Sequence, residues 1–189
     1  KQICAMYQDD EFGLEVFRGA EAGLKDSGMQ FAEVTTYKRG ATDFASQMQK
    51  LASAKCDMVV MGTIIRETIG GIATARRLGF NPTFIGSSAA YTDLIHKLGG
   101  PAMNGFYATM TVQHPYLDEA AQNIRFWANQ YKTKFNEDPP VDGMKFPADM
   151  FGSPEMTFTA TKRLGSNISR MSQIQDGRWK VVSDYPKAK

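Results

Sequence analysis

Two adjacent carboxylates, Asp9 and Asp10, follow the first apolar segment and are the first residues that could hold a metal ion. Adjacent acids at this point bind Mg²⁺ in receiver domains, which also need a phosphorylatable aspartate at the end of the third strand. The third apolar segment ends instead in Met61–Thr63. We therefore expect Asp9 and Asp10 to form a solvated loop with a capping role, and we expect no metal site.

Side-chain patterns that would indicate an enzyme are missing from the sequence. It contains no glycine-rich phosphate motif, no Gly-Lys-Ser/Thr and no serine nucleophile elbow, and its only histidines are His96 and His114. His114 follows a strand-like segment, where it could line a pocket, although a surface loop histidine is the alternative. We expect a non-catalytic protein that needs no cofactor.

Three side chains in loops after strands are suited to contact a ligand. Phe12 and Tyr91 are aromatic residues at points where burial is not automatic. Arg66 follows the third strand among apolar neighbours, and its guanidinium could pair with a ligand carboxylate. The alternative is an arginine that faces solvent or forms a salt bridge with Glu67.

The elements that position these residues alternate along the chain. Apolar segments predict five strands: Ile3–Tyr7, Phe31–Thr36, Met58–Met61, Thr83–Ile85 and Gly105–Val112. Stripes at helical spacing lie between them, one ending at Gly28, one beginning after Asp43, one ending at Gly79, one over Tyr91–Leu98 and one from Leu117 to Phe135.

This alternation predicts an α/β fold with a doubly wound, mostly parallel sheet between two helical layers. Ligands of such sheets bind beyond the carboxyl ends of the strands. Here those ends are Gln8–Gly13, Gly62–Glu67, Gly86–Tyr91 and Thr111–His114.

Composition excludes other classes of function. The 189 residues include 22 lysines and arginines against 20 acidic residues, a net charge of +2, so we expect no nucleic-acid partner. Cys4 and Cys56 match no metal motif; free buried thiols are favoured and a disulfide is the alternative. The chain begins at Lys1 just before a strand, which we interpret as a processed precursor or an excised domain.

The strand–helix rhythm ends after Pro139–Val141. A hairpin pattern follows, with Ile168–Ile174 and Arg178–Val182 joined by a turn at Gln175–Gly177.

In order and spacing, these segments resemble the type I periplasmic binding proteins, in the leucine/isoleucine/valine-binding group of ABC-transporter receptors. The resemblance spans roughly residues 1–140. It rests on seven stretches: Tyr7–Gly13, Gly40–Phe44, Cys56–Gly62, Arg77–Phe80, Phe84–Gly86, Gly105–Tyr107 and the helix end at Tyr131–Asn136.

The resemblance implies the second lobe of a two-lobed, Venus-flytrap receptor in the periplasm, with the first lobe missing. It implies that residues 1–141 form this lobe and that residues 142–189 pack back on it, with a discontinuity near residues 141 and 142. It also implies a small-molecule ligand and a membrane permease as partners. The family's cleft aromatic falls at Phe12, a site tyrosine falls at Ile64, and the acid that pairs with an amino-acid ammonium falls near Ser88, beside Ser87.

An ammonium buried without a carboxylate partner costs several kcal/mol, so Ser88 argues against an amino acid. An aromatic or aliphatic carboxylate suits apolar walls with Ser87, Ser88 and Arg66 as polar points. Alternatives are a branched-chain amino acid in the same cleft, a ligand-sensing receptor or repressor domain, and a flavodoxin-like enzyme, which has no supporting constellation.

Overall fold

The computed structural model describes residues 1–111, 113–139 and 169–184. Their strands form a seven-stranded sheet of order β2-β1-β3-β4-β5-β6-β7. The strands are β1 Ile3–Gln8, β2 Glu33–Tyr37, β3 Met58–Gly62, β4 Thr83–Gly86, β5 Tyr107–Met110, β6 Arg170–Gln175 and β7 Arg178–Val181. Parallel pairing joins β1 to β2, β1 to β3, β3 to β4 and β4 to β5, which confirms the predicted mostly parallel α/β sheet.

Five helices accompany the strands: α1 Glu11–Asp26, α2 Ala45–Ser53, α3 Ile65–Arg77, α4 Asp93–Gly99 and α5 Gln122–Phe135. A 3₁₀ turn over Ser88–Ala90 precedes α4, so the helix predicted over Tyr91–Leu98 begins two residues later than expected. The α5 helix begins five residues after Leu117, because residues 114–119 form hydrogen-bonded turns.

The two faces of the sheet carry different helices in the first part of the chain. The ring of Tyr7 in β1 stacks on Phe17 of α1, with 4.9 Å between the centroids. A Cβ atom on Gly71 of α3 would lie 3.1 Å from Cε of Met6, the neighbouring residue of β1. Because successive side chains of a strand point to opposite faces, α1 and α3 cover opposite sides of the sheet.

The described residues divide into two compact units. The first comprises residues 1–109 and 172–180, and the second comprises the described residues of the ranges 110–139, 169–171 and 181–184. The predicted division of the chain at residue 141 stays a prediction. The junction suspected near residues 141 and 142 lies outside the described residues, as do Val112 and Ile168.

The returning hairpin matches the predicted one. Its strands β6 and β7 flank Asp176 and Gly177, whose φ angles of 52° and 71° are those of a tight two-residue turn. Trp179 of β7 packs against Phe106 with 5.9 Å between the ring centroids, so this segment belongs to the core of the first unit.

The favoured interpretation of the cysteines as free thiols is wrong. Cys4 in β1 and Cys56, two residues before β3, form a disulfide with 5.9 Å between their Cα atoms. Both side chains are buried. The sequence showed that both were apolar and inside; the pairing depends on β1 and β3 being neighbours, which sequence spacing alone does not reveal.

Candidate ligand-binding site

The carboxyl ends of three adjacent strands meet at one edge of the first unit. Tyr7 of β1 is in register with Gly62 of β3, and Met61 is in register with Gly86 of β4. The chain crosses from β2, on one side of β1, to β3, on the other, so this edge contains the switch in strand order where doubly wound sheets bind ligands.

The loop after β1 is closed by backbone and carboxylate contacts. Asp10 is the N-cap of α1, and its Oδ1 accepts a hydrogen bond from the Gly13 N–H at 3.1 Å. That bond, together with the Gln8 amide and Arg39, holds the pKa of Asp10 below its usual value. Asp9 pairs with Lys38. Asp10 therefore has the predicted capping role, whereas Asp9 forms an ion pair instead. The described residues contain no cluster that could hold a metal ion.

Phe12 lies in the first turn of α1 and is half-buried. The turn can form only because residue 13 is glycine, since a Cβ atom there would stand 1.9 Å from the carbonyl oxygen of Gln8. The close backbone packing at Gly13 therefore fixes the position of Phe12 relative to the strand edge.

The loop after β3 is organised by two threonines. The hydroxyls of Thr63 and Thr68 lie 2.6 Å apart, and the Thr68 hydroxyl also lies 2.6 Å from the carbonyl oxygen of Ile64. These bonds fix the backbone at Ile64, whose side chain is half-buried. Ile64 therefore offers an apolar surface at the same edge as Phe12.

Arg66 follows in the first turn of α3, and its side chain is 74% exposed. Its Nη2 lies 3.5 Å from Oε1 of the buried Glu67. This contact is the salt bridge considered as the alternative role of Arg66, and it leaves most of the guanidinium open to solvent. A ligand role for Arg66 stays a prediction.

The loop after β4 divides into an accessible part and a buried part. Ser88 is exposed, and Ser87 is half-buried with a hydroxyl that has no hydrogen-bond partner among the described residues. Tyr91 is only 4% exposed, and its ring lies 4.7 Å from the ring of Trp179. Tyr91 thus packs in the core of the unit, while Ser87 and Ser88 remain at its edge.

Ser87 also lines a groove of about 290 Å³ on the α1 side of the sheet. Val16 of α1, Val60 of β3 and Ile85 of β4 form its apolar walls. The groove therefore lies on the face of the sheet where α1 packs against β1 and β3.

His114 belongs to the second unit. It is buried there, and its ring lies 4.3 Å from that of Tyr116. Its assignment as a ligand residue stays a prediction.

Three polar residues below the edge were missed by the sequence reasoning: Gln8, Tyr37 and Glu67. All three are at least 96% buried. Burial, with the nearby carboxylates of Glu67 and Asp10, raises the pKa of Tyr37. The sequence did contain one signal of this buried polar cluster. Gln8 falls two residues after Met6 on the buried face of β1, where an apolar residue is expected.

The sequence profile of the family described as "Periplasmic binding protein" matches residues 1–170 of the chain. The chain belongs to the periplasmic binding protein family. Among curated members, it is 21% identical over 141 residues to Leu/Ile/Val-binding protein homolog 7 of Brucella abortus (strain 2308). That alignment covers 73% of the chain and 35% of the relative, so the chain spans about a third of the length of this relative.

Solved structures of other periplasmic binding proteins share the fold. A fatty acid ABC transporter substrate-binding protein from Thermomonospora curvata matches with a TM-score of 0.80 and 17% identity, covering 100% of this chain and 58% of that one. A branched chain amino acid ABC transporter from Thermus thermophilus with bound valine matches with a TM-score of 0.76 and 16% identity, covering 99% and 60%. At sequence identities this low, the two matches show a shared fold and nothing more.

The family and the similar structures are substrate-binding proteins and not enzymes, in agreement with the expectation of a non-catalytic protein. Membership of this family also confirms the resemblance to leucine/isoleucine/valine-binding receptors. Within residues 1–111, 113–139 and 169–184, no helix has the length and apolar character that crossing a membrane requires.

Proposed function

We propose that this chain supplies one wall of the ligand cleft of a solute receptor for an ABC-type importer, and that the ligand is a small organic acid. The proposal includes a periplasmic location and a membrane permease that receives the loaded receptor. The wall is the strand edge that carries Phe12, Ile64, Ser87 and Ser88, with Arg66 as its cation.

One observation carries the choice of ligand. Ser88, which the family resemblance aligns with the acid that pairs with an amino-acid ammonium, is an exposed hydroxyl residue at the edge. A serine cannot neutralise an ammonium that is taken out of water, and the unpaired charge costs several kcal/mol. An acid without an ammonium avoids that cost.

The chemistry of the rest of the edge supports the same ligand class. Phe12 and Ile64 are half-buried apolar side chains, which suit an aromatic ring or an aliphatic chain. The guanidinium of Arg66 can make a bidentate contact with a carboxylate, and its 74% exposure leaves it free to turn toward one. One of the similar structures is named as a fatty acid ABC transporter substrate-binding protein, and a fatty acid is an aliphatic carboxylate.

A branched-chain amino acid is the second candidate. The Brucella relative is named as a Leu/Ile/Val-binding protein, and the Thermus structure contains valine. For this ligand, a carboxylate outside the edge described here would have to pair with the ammonium.

A thermal-shift panel on the intact protein separates the two candidates. Benzoate, octanoate and leucine are compared at equal concentration, with benzamide as the uncharged control for benzoate. The proposal predicts that an acid raises the melting temperature, because binding to the native state alone stabilises it by about 2.7 kcal/mol at 100 times Kd. Strong stabilisation by leucine without any effect of the acids would contradict it.

Arg66 provides a residue-level test of the same ligand class. Arg66→Ala is expected to weaken binding of the stabilising acid by about tenfold or more, since a charge-assisted hydrogen bond is worth roughly 1.5–3 kcal/mol. Arg18→Ala, an exposed arginine further along α1, is the matched control and should leave affinity unchanged. Equal affinity of both variants and the parent would assign Arg66 to its salt bridge with Glu67 alone.

A further inference from the structure

Three buried oxygen atoms below the strand edge have no hydrogen-bond partner among the described residues. They are Oε1 of Gln8, the hydroxyl oxygen of Tyr37 and Oε2 of Glu67. The three side chains are 0%, 4% and 1% exposed. Because buried polar atoms in folded proteins are nearly always hydrogen-bonded, three such atoms indicate a common partner if they lie together.

Strand register places the first two side by side. Gln8 of β1 is paired with Tyr37 of β2 in the parallel ladder. Side chains of residues that are in register on neighbouring strands point to the same face of the sheet. The amide of Gln8 and the phenol of Tyr37 are therefore neighbours on the face that α3 covers.

Helix geometry brings Glu67 to the same place. Gly71 of α3 packs over Met6 of β1, with 3.1 Å from its Cβ position to Cε of Met6. Glu67 precedes Gly71 by one turn, about 6 Å along the helix. Gln8 follows Met6 by two residues, about 6.6 Å along the strand. A helix that links parallel strands runs opposite to them, so both steps lead toward the same edge and Glu67 lies over Gln8.

Phe44 closes the space from the side. Its ring packs edge-on against Tyr37, with 5.5 Å between the centroids. The same ring lies 2.8 Å from the Cβ position of Gly70, in the next turn of α3 after Glu67. The three oxygens are thus enclosed between two strands, one helix and one aromatic ring.

We propose that Gln8, Tyr37 and Glu67 bind one buried water molecule that joins the carboxyl ends of β1 and β2 to the first turn of α3. Such a water accepts a hydrogen bond from the Tyr37 hydroxyl and donates hydrogen bonds to Oε1 of Gln8 and Oε2 of Glu67. Three hydrogen bonds are typical of buried waters.

The known hydrogen bonds of Gln8 and Glu67 use their other polar atoms, so the three oxygens remain available to the water. Gln8 already donates its Nε2 to Asp10, and Oε1 of Glu67 faces Arg66 Nη2 at 3.5 Å. A divalent cation would need about six oxygen ligands, more than the three atoms supply, whereas a water needs only those three.

The water connects two loops of the edge. Gln8 leads to Asp10, which caps the helix that carries Phe12. Glu67 is the neighbour of Arg66 and contacts its guanidinium. The bound water therefore fixes both loops from below, independently of which solute the edge binds.

The sign of a stability change tests the proposal. Tyr37→Phe in the full chain removes only the hydroxyl, and the water then loses its donor. We expect the melting temperature to fall by about 2–4 °C, the shift that the loss of one hydrogen bond produces in a chain of this size. Tyr7→Phe, on the neighbouring strand with its ring stacked on Phe17, is the control and should change it by less than about 1 °C.

An unchanged or higher melting temperature for Tyr37→Phe would overturn the proposal, because removal of a truly unpartnered buried hydroxyl relieves a desolvation cost. A crystal structure of the parent distinguishes the occupant. Density for a water within about 3.2 Å of all three oxygens supports it. A direct Tyr37–Glu67 hydrogen bond, an empty space, or a melting temperature that is higher in NaCl or KCl than in choline chloride would each contradict it.

Discussion

At the scale of single residues, the edge is built from positions where the backbone leaves little freedom. A Cβ atom on Gly13 would overlap the carbonyl oxygen of Gln8, and a Cβ atom on Gly62 would lie 2.7 Å from Cβ of Tyr7. These glycines are required by close approach and not by an unusual φ angle. They let the loops after β1 and β3 come close enough to present Phe12 and Ile64 at one edge.

Gly13→Ala is predicted to be strongly destabilising. Its Cβ atom would overlap a backbone oxygen that cannot move away as a side chain can, so we expect a loss of about 3 kcal/mol or more in the free energy of unfolding. Gly19→Ala in the same helix meets no atom within 4 Å and should stabilise by about 0.5–1 kcal/mol. Urea denaturation of both variants measures the difference; equal effects would show that the loop relaxes.

The sequence predicted the position of residues at strand ends better than it predicted their burial. Phe12, Ile64 and Ser88 follow strands, and the strand pattern alone places them at the carboxyl edge. Tyr91 also follows a strand, yet it is covered by Trp179, which is 88 positions further along the chain. Contacts at that separation leave no local pattern, and neither does the encounter of Gln8, Tyr37 and Glu67.

At the scale of elements, alternation of apolar strands and amphipathic helices was sufficient to predict the parallel sheet. Helix ends were predicted correctly where a glycine adopts the left-handed conformation that ends a helix, as Gly28 and Gly79 do with φ angles of 68° and 73°. The start of α5 carried no such mark, because Ala121 caps it without a side-chain hydrogen bond. Disulfide pairing also depended on strand order, so the sequence offered it only as the alternative to free thiols.

The disulfide between Cys4 and Cys56 is predicted to stabilise the first unit. It closes a segment with a sequence separation of 52, for which the chain-entropy model gives about 4 kcal/mol. The denaturation midpoint of the parent should therefore fall when a reductant is present during unfolding. The double variant Cys4→Ala, Cys56→Ala should have a lower denaturation midpoint than the parent, and that midpoint should not change with reductant. A change with reductant in the double variant would show that the reductant does not act through this disulfide.

The returning hairpin is predicted to depend on Trp179. Its ring contacts Tyr91 and Phe106, and its indole N–H donates to the carbonyl of Thr92 at 2.9 Å. Trp179→Ala should cost about 3–5 kcal/mol of unfolding free energy, and Trp179→Phe about 1–2 kcal/mol, since phenylalanine keeps ring contacts and loses the hydrogen bond. Chemical denaturation followed by circular dichroism tests this; a silent Trp179→Ala would mean that the hairpin is not anchored there.

At the scale of the whole molecule, the chain combines one sheet-based unit with a second unit that begins at residue 110. It spans 35% of the length of the Brucella relative and 58–60% of two similar solved structures. The strand edge of the first unit is therefore proposed as one wall, with the opposing wall supplied elsewhere in the intact protein. Fold and family were predictable from the order of motifs, whereas in the proposed cleft the choice of ligand would depend on both walls.

The central claim is that the carboxyl ends of β1, β3 and β4 are the surface that contacts solute. Hydrogen exchange followed by mass spectrometry, on the intact protein with and without the acid that stabilises it most, tests this directly. We predict that protection gained on binding within the first unit is concentrated in residues 8–13, 62–67 and 86–91, and that residues 27–32 and 79–82, at the opposite ends of the strands, are unchanged. Protection at those opposite loops, with none at the carboxyl ends, would contradict the account.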